Sequence, residues 1–208
     1  MFKNQKFRFI LITGASSGIG KELALTYAEP GITLYLSGRN DAALTQLQLD
    51  CQSQGATVYF HAFDITHFDD LNAYVNTITT PLDLIIANAG ASGGNRLTGE
   101  PESLETMNTL INVNIKAPIQ LTRLLLPKLI TQKQGHIVYI SSVQALRGFP
   151  HCPTYCATKA GLKAYSEGLR AWLKPHQISV SIVYPGFVKT AMSDRLDCPK
   201  PLMISAPK

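Results

Sequence analysis

Tyr155 and Lys159 stand four residues apart in Tyr155-Cys156-Ala157-Thr158-Lys159, so a helix would set the ammonium beside the phenol on one face. A phenol titrates near 10, and a neighbouring cation favours its ionised form, which would make Tyr155 a proton donor and acceptor usable near neutral pH. Ser142 precedes Tyr155 by 13 residues and follows the apolar run from His136, so it falls where a strand would end. Such a pair alone is a common accident. Specificity comes from a second feature near the amino terminus, Thr13-Gly14-Ala15-Ser16-Ser17-Gly18-Ile19-Gly20, which leads directly into Lys21-Glu22-Leu23-Ala24. Glycines let the main chain turn tightly and approach a pyrophosphate, whose charge the following helix N-terminus favours. The spacing is GxxxGxG rather than the common GxGxxG.

Three further strand ends extend this nucleotide reading. The second strand candidate closes on Ser37-Gly38-Arg39, where an enzyme that prefers NAD would carry Asp or Glu for the ribose 2′-hydroxyl. The planar fork of Arg39 suits a 2′-phosphate instead, which predicts NADP(H). The competing reading makes Arg39 a solvated residue opening a loop before the helix cap Asn40. Asp64, followed by Ile65, could accept a hydrogen bond from an adenine amino group or cap a helix near His67. After the fourth strand, Asn88-Ala89-Gly90 offers small residues for the cofactor to lie against, with Asn88 read as a tie between strands.

The elements that must position these residues alternate regularly. Strand candidates are 8–13, 33–37, 57–62, 82–87, 136–141 and 179–184, and helical patterns fill 18–29, 40–53, 68–78, 102–131 and 153–174. Runs such as Leu84 to Ala87 are apolar without alternation, as burial on both faces requires. Alternating strands and helices predict an α/β fold, a doubly wound parallel sheet in a Rossmann-type three-layer sandwich. This fold binds ligands beyond the carboxyl ends of its strands, where the candidate residues lie.

Composition narrows the alternatives. The chain of 208 residues is 45% hydrophobic and 16% charged, which suits one domain and excludes a disordered tail or a coiled coil. Its net charge of +5 divides into an acidic first half, with 11 acids and 6 bases through residue 105, and a basic stretch at 106–193 with 10 bases and one acid, Glu167. No basic run with interleaved aromatics accompanies this excess, so nucleic-acid binding is not expected. Cys51, Cys152, Cys156 and Cys198 form neither a disulfide framework nor a zinc ribbon, and a reducing, cytoplasmic setting is expected. Cys152 and Cys156 are read as small packing residues without chemistry. Lys3, Lys6 and Arg8 precede an apolar run, Phe9 to Ile12, too short for a signal sequence, and no stretch is long enough for a membrane span.

With these motifs in place, the chain resembles the short-chain dehydrogenase/reductase family, in its single-domain NADP(H)-preferring subgroup. The resemblance rests on TGASSGIG at 13–20, ANAG at 87–90, Asn114 in Asn112-Val113-Asn114, ISSV at 140–143, YCATK at 155–159, and Pro185-Gly186 with Thr190, in the family's order along nearly the whole chain. It implies an oxidoreductase that transfers a hydride between NADP(H) and a carbonyl or alcohol. Tyr155 would be the general acid, Ser142 would hold the same oxygen, and Lys159 would lower the phenol's pKa and bind the nicotinamide ribose. Asn114, in a helix that the family distorts at this point, would hold a water in a proton relay. Thr190, with Pro185, Gly186 and Val188, would bind the nicotinamide end.

The sequence departs from the family in two places: Ala87 replaces the first Asn of NNAG, and the chain stops at Lys208, which leads us to expect one domain over 1–208 lacking the family's last helix and strand. A non-catalytic NADP(H) sensor of the same fold is the alternative function, although a sensor has no need of the acid–base set. Small and apolar residues on the helical patterns 102–131 and 153–174 imply, by the resemblance, a homodimer or homotetramer, with core packing as the alternative. Gln144, Leu146, Phe149, His151 and residues after Met192 are expected to line a substrate pocket, and none identifies the substrate.

Overall fold

A computed structural model of the chain describes residues 7–93, 102–194, 200 and 202–205. Six parallel strands form one sheet in the order β3-β2-β1-β4-β5-β6, comprising β1 (Phe9–Thr13), β2 (Thr33–Gly38), β3 (Thr57–Ala62), β4 (Leu84–Ala87), β5 (Gly135–Ile140) and β6 (Ile178–Val183). Helices cover both faces: α1 (Gly18–Tyr27), α2 (Asp41–Ser53), α3 (Phe68–Thr77), α4 (Leu104–Ile111), α5 (Ala117–Gln132) and α6 (Pro153–Leu173). The expected doubly wound sheet is therefore present, and the strand order reverses between β1 and β4, where such sheets bind ligands.

The unbroken apolar strands follow from this layering. Ile10, Ile12, Leu34 and Leu36 pack on one face with Ala24, Leu44 and Leu47. Leu11, Tyr35, Ile85 and Ile137 pack on the other with Leu71, Leu121, Leu125, Leu162 and Leu169. Successive strand residues point to opposite faces, so two covered faces favour apolar side chains at successive positions, with the buried polar Thr13 and Ser37 near the carboxyl ends of β1 and β2.

Local chemistry sets several boundaries. Asn40 Oδ1 accepts from the Ala43 N–H at 3.0 Å and starts α2, while Pro153 occupies the first turn of α6, where its missing N–H costs nothing. Strand pairing begins at Phe9 and Leu84 rather than at Arg8 and Leu82. The Asp83 carboxylate accepts from the N–H groups of Arg8 and Phe9 at 2.8 and 3.0 Å, so a side chain serves the main chain there.

The helix expected over 102–131 is interrupted. A π-helical turn at Asn112–Lys116 separates α4 from α5, with Pro118 following at the start of α5. After β6 come a short parallel pair, β7 (Val188–Lys189) with β8 (Ile204–Ser205), and a helical turn, α7 (Ala191–Asp194). Among the described residues, β3 and β6 form the two edges of the main sheet. No described helix is long and apolar enough to cross a membrane.

Candidate active site

The carboxyl ends of the strands open into a cleft of about 530 Å³. Its nucleotide end begins at the β1–α1 turn, where Gly14 has φ +67° and a Cβ would come 2.8 Å from Ala89 Cα. A Cβ on Gly20 would strike the Gly14 carbonyl oxygen and the Asn88 amide, so Gly20 lets helix and turn meet and lies behind the cleft wall. Asn88 is the tie expected of it: its Nδ2 donates to the Thr13 and Gly14 carbonyls at 3.0 and 3.1 Å. Gly14, Ser16, Ser17, Gly18, Ile19, Asn88, Ala89 and Gly90 all line the cleft.

Arg39 and Asp64 face each other at the outer edge, with Nη1 3.9 Å from Oδ2 and the Arg39 side chain 78% exposed. Asp64 does not cap α3, whose cap residue is His67. Its Oδ1 accepts from the Thr66 N–H at 2.9 Å and the Thr66 hydroxyl at 2.7 Å, closing a local turn. Burial pushes the Asp64 carboxyl up, but those two hydrogen bonds, the Arg39 guanidinium and the nearby His67 outweigh it and hold it below the usual range. Ile65 lines the cleft beside it.

At the other end, Ser142 leaves β5, and Tyr155 and Lys159 project from the first turns of α6; all three line the cleft. Lys159 is 4% exposed and donates to the Ile140 carbonyl at 3.0 Å, with Nζ 5.7 Å from the centre of the Tyr155 ring. Burial away from water disfavours its charge and pushes its pKa down to about 8. The lowered phenol pKa expected from the Tyr-Lys spacing is not what the site shows. Burial pushes Tyr155 up to about 12, the Ser142 hydrogen bond opposes that rise, and the nearby Cys152 and Cys156 add to it. The group that lowers the phenol is Ser142, while the Lys159 ammonium hydrogen-bonds the Ile140 carbonyl.

Asn114 is 1% exposed and lies outside the cleft lining, in the π-helical turn. Its Oδ1 accepts from the Ala91 N–H at 2.8 Å, and its Nδ2 donates to the Ala91 carbonyl at 2.9 Å and the Thr158 hydroxyl at 3.3 Å. One amide side chain thus ties the loop after β4 to α6 from the turn between α4 and α5. The π turn, which breaks the regular ladder, aims Asn114 at that loop.

Pro185, Gly186, Val188 and Thr190 complete the wall opposite α6. The Thr190 hydroxyl oxygen accepts from the Ser193 N–H at 3.2 Å, leaving its hydrogen to donate. Gln144, Phe149, His151, Met192 and Ser193 line the cleft as expected, but Leu146 does not and is 62% exposed. Thr109 and Val113 were not anticipated, because helical phase at a π turn depends on tertiary packing. Cys152 also lines the cleft instead of packing in the core. The Cys198 position lies outside the described residues.

Glu102 was missed as well. Its Oε2 accepts from the Thr154 N–H at 3.2 Å and from the Thr154 hydroxyl, capping α6 one residue before Tyr155 from 52 positions away. No local pattern announces a cap supplied from another element. Among the described residues, no group of three or more His, Cys, Asp or Glu could hold a metal ion.

A model of the short chain dehydrogenase family matches residues 8–200. The chain belongs to the short-chain dehydrogenase family. An oxidoreductase of Myxococcus xanthus is 32% identical over 201 residues, covering 95% of this chain and 79% of that one. Dehydrogenase/reductase SDR family member 7B of Xenopus tropicalis is 34% identical over 193 residues, covering 88% of this chain and 62% of that one, so the chain spans under two thirds of that relative. Among solved structures, an actinorhodin polyketide ketoreductase with NADPH has a TM-score of 0.84 at 26% identity, covering 91% of this chain and 74% of that one. A short-chain dehydrogenase/reductase of Burkholderia phymatum in complex with NAD has a TM-score of 0.83 at 26% identity, covering 90% and 68%. Of these two similar structures, one holds NADPH and the other NAD.

Proposed function

We propose that this short-chain dehydrogenase family member is an NADP(H)-dependent oxidoreductase acting on a carbonyl or alcohol substrate, with Tyr155 as general acid and base. The observation behind this reading is that Ser142, Tyr155 and Lys159 share one cleft with the glycine turn. The residues fit a dinucleotide: Gly14 and Gly20 keep the turn clear of side chains, and the exposed Arg39 guanidinium stands at the rim where a 2′-phosphate would be met. Asp64 beside Arg39 would offset part of that preference. When bound, the nicotinamide supplies or takes up the hydride, and Pro185, Gly186, Val188 and Thr190 would flank it.

The chain's own groups handle the proton. A phenol held near 12 keeps its proton at neutral pH, so Tyr155 is set to donate to a carbonyl oxygen that the Ser142 hydroxyl also holds. Reduction is favoured below that value, and alcohol oxidation, which needs the phenolate, rises with pH. Lys159, near 8, exchanges its proton around neutral pH and would contact the ribose. Both Nδ2 hydrogens of Asn114 are spent on Ala91 and Thr158, so only its oxygen atoms can hold the relay water. Val113, Phe149, Phe187 and Met192 give the substrate end an apolar wall.

Assembly follows the same reading. Ala157, Ala160, Ala164 and Gly168 lie exposed on α6, with Trp172 at 56% and Leu104 of α4 at 76% exposure, which supports pairing of these helices with a second copy.

The test is NADPH and NADH oxidation over a panel of ketones, aldehydes, quinones and carrier-linked 3-oxoacyl compounds. Tyr155→Phe should lower the rate on any accepted carbonyl by roughly 10²–10⁴-fold while NADPH binding persists. Equal rates in the variant would end the proton-donor assignment.

A further inference from the structure

Cys152 and Cys156 bracket Tyr155 along the chain, and their sulfurs lie 3.9 Å apart. The two thiols differ in access. Cys152 lines the cleft, with Sγ 3.7 Å from Gln144 Oε1. Cys156 is 6% exposed and accepts the Phe149 N–H at 3.4 Å. One sulfur is therefore open to a small molecule entering the cleft, and the second stands directly behind it. This is the arrangement needed for attack at one thiol and resolution by the other. Cys51, by contrast, is 0% exposed on the core-facing side of α2.

The local chain has room for the required movement. A disulfide bond is about 2.05 Å long, so the sulfurs must approach by roughly 2 Å. Cys152 is the cap residue of α6, with φ −154° and ψ 57°, and is not part of the helix. The segment before it, Leu146 to His151, is exposed, and a side chain at Gly148 would meet nothing within 4 Å. Closure can therefore draw Cys152 inward without repacking the core. The strain falls on the first turn of α6, which holds Tyr155.

We propose that Cys152 and Cys156 form a redox modification site, a dithiol that closes to a reversible disulfide and draws Tyr155 out of line with Ser142. The oxidant is a low-molecular-weight disulfide of the glutathione class. The Cys152 thiolate attacks one of its sulfurs, that S–S bond breaks, and one thiol leaves with the proton. Cys156 then attacks the Cys152 sulfur of the mixed disulfide and expels the second thiol. The protein loses two hydrogens, and one external disulfide becomes two thiols. The loss of activity, though not the bond itself, rests on the reductase reading above.

The experiment titrates the protein with glutathione disulfide against reduced glutathione, maps disulfides by mass, and follows carbonyl reduction in the same samples. The expected result is a Cys152–Cys156 linkage, with Cys51 and Cys198 still open to alkylation after denaturation. Turnover should fall at least about tenfold, since a misplacement on the order of 1 Å can cost ~100-fold, and dithiothreitol should restore it. Cys156→Ser should stop at a glutathione adduct on Cys152, and Cys152→Ser should take up nothing at position 156. A persistent adduct on the unaltered protein, or a mapped linkage with full activity, would overturn the proposal. Absence of carbonyl reduction in the dithiol form defeats the reductase reading instead, and the linkage map still decides the site.

Discussion

At the turn between β1 and α1 the cleft wall is main chain, whereas at the corner between β5 and α6 it is side chain. The first wall comes from one octapeptide, residues 13–20, shaped by the absence of side chains at Gly14 and Gly20. The second is assembled from β5, α6 and the π-helical turn. Its bonds bridge 19 positions from Lys159 to Ile140, 23 from Asn114 to Ala91 and 52 from Glu102 to Thr154. A main-chain wall is sensitive to added atoms and indifferent to pH. A buried side-chain wall is sensitive to charge, because desolvation sets which protons it holds. Errors at the first end should therefore appear as lost fit, and errors at the second as changed protonation.

Lys159→Met gives the largest effect and tests the electrostatic side of this contrast. Carbonyl reduction should fall by about 10²-fold or more, as expected for a group in the proton pathway. Stability should move the other way. Lys159 titrates near 8 when folded against 10.5 when unfolded, so between these values the unfolded chain binds more protons and wild-type stability rises with pH. Below pH 8 the buried charge is a full penalty, and removing it should stabilise the fold by on the order of 1–3 kcal/mol. Urea unfolding at pH 7 and pH 10 reads this directly. A variant less stable than wild type at pH 7 would mean that the bond to the Ile140 carbonyl outweighs desolvation.

Gly14→Ala tests the steric side. At φ +67°, with a backbone atom 2.8 Å from the new methyl, the turn must shift, at a cost of roughly 1–3 kcal/mol. Thermal stabilisation by NADPH should largely disappear, and the loss should be the same at pH 6 and pH 9. A pH-dependent loss would erase the contrast between the two walls.

Glu102→Ala should have the smallest effect. Loss of the cap frees the Thr154 N–H and costs about 1 kcal/mol. Turnover should drop by less than tenfold with KM for NADPH unchanged, and Glu102→Gln should recover most of it. A shift in that KM with turnover intact would move Glu102 out of the catalytic wall.

The contrast also explains which features were readable from residue order. Strand interiors, the glycine turn, the cap at Asn40 and the Tyr155–Lys159 pair are local patterns, and each recurs in the structure within a residue or two. The break in the 102–131 helix is a departure, because the apolar period continues through Asn112–Lys116 while the bonds of Asn114 to Ala91 come from another layer. Asp64 was legible as a polar residue at a strand end, but its turn with Thr66 and its position facing Arg39 were not.

Residue order alone was sufficient for the sheet, its layers and the types of residue at each strand end, since periodicity and turn chemistry act over a few residues. Packing settled the rest: that burial lifts the Tyr155 phenol and lowers the Lys159 ammonium, that Leu146 turns outward, and that Cys152 faces the cleft with Cys156 behind it. Desolvation and contact depend on everything that surrounds a group, and those surroundings exist only once distant segments have come together.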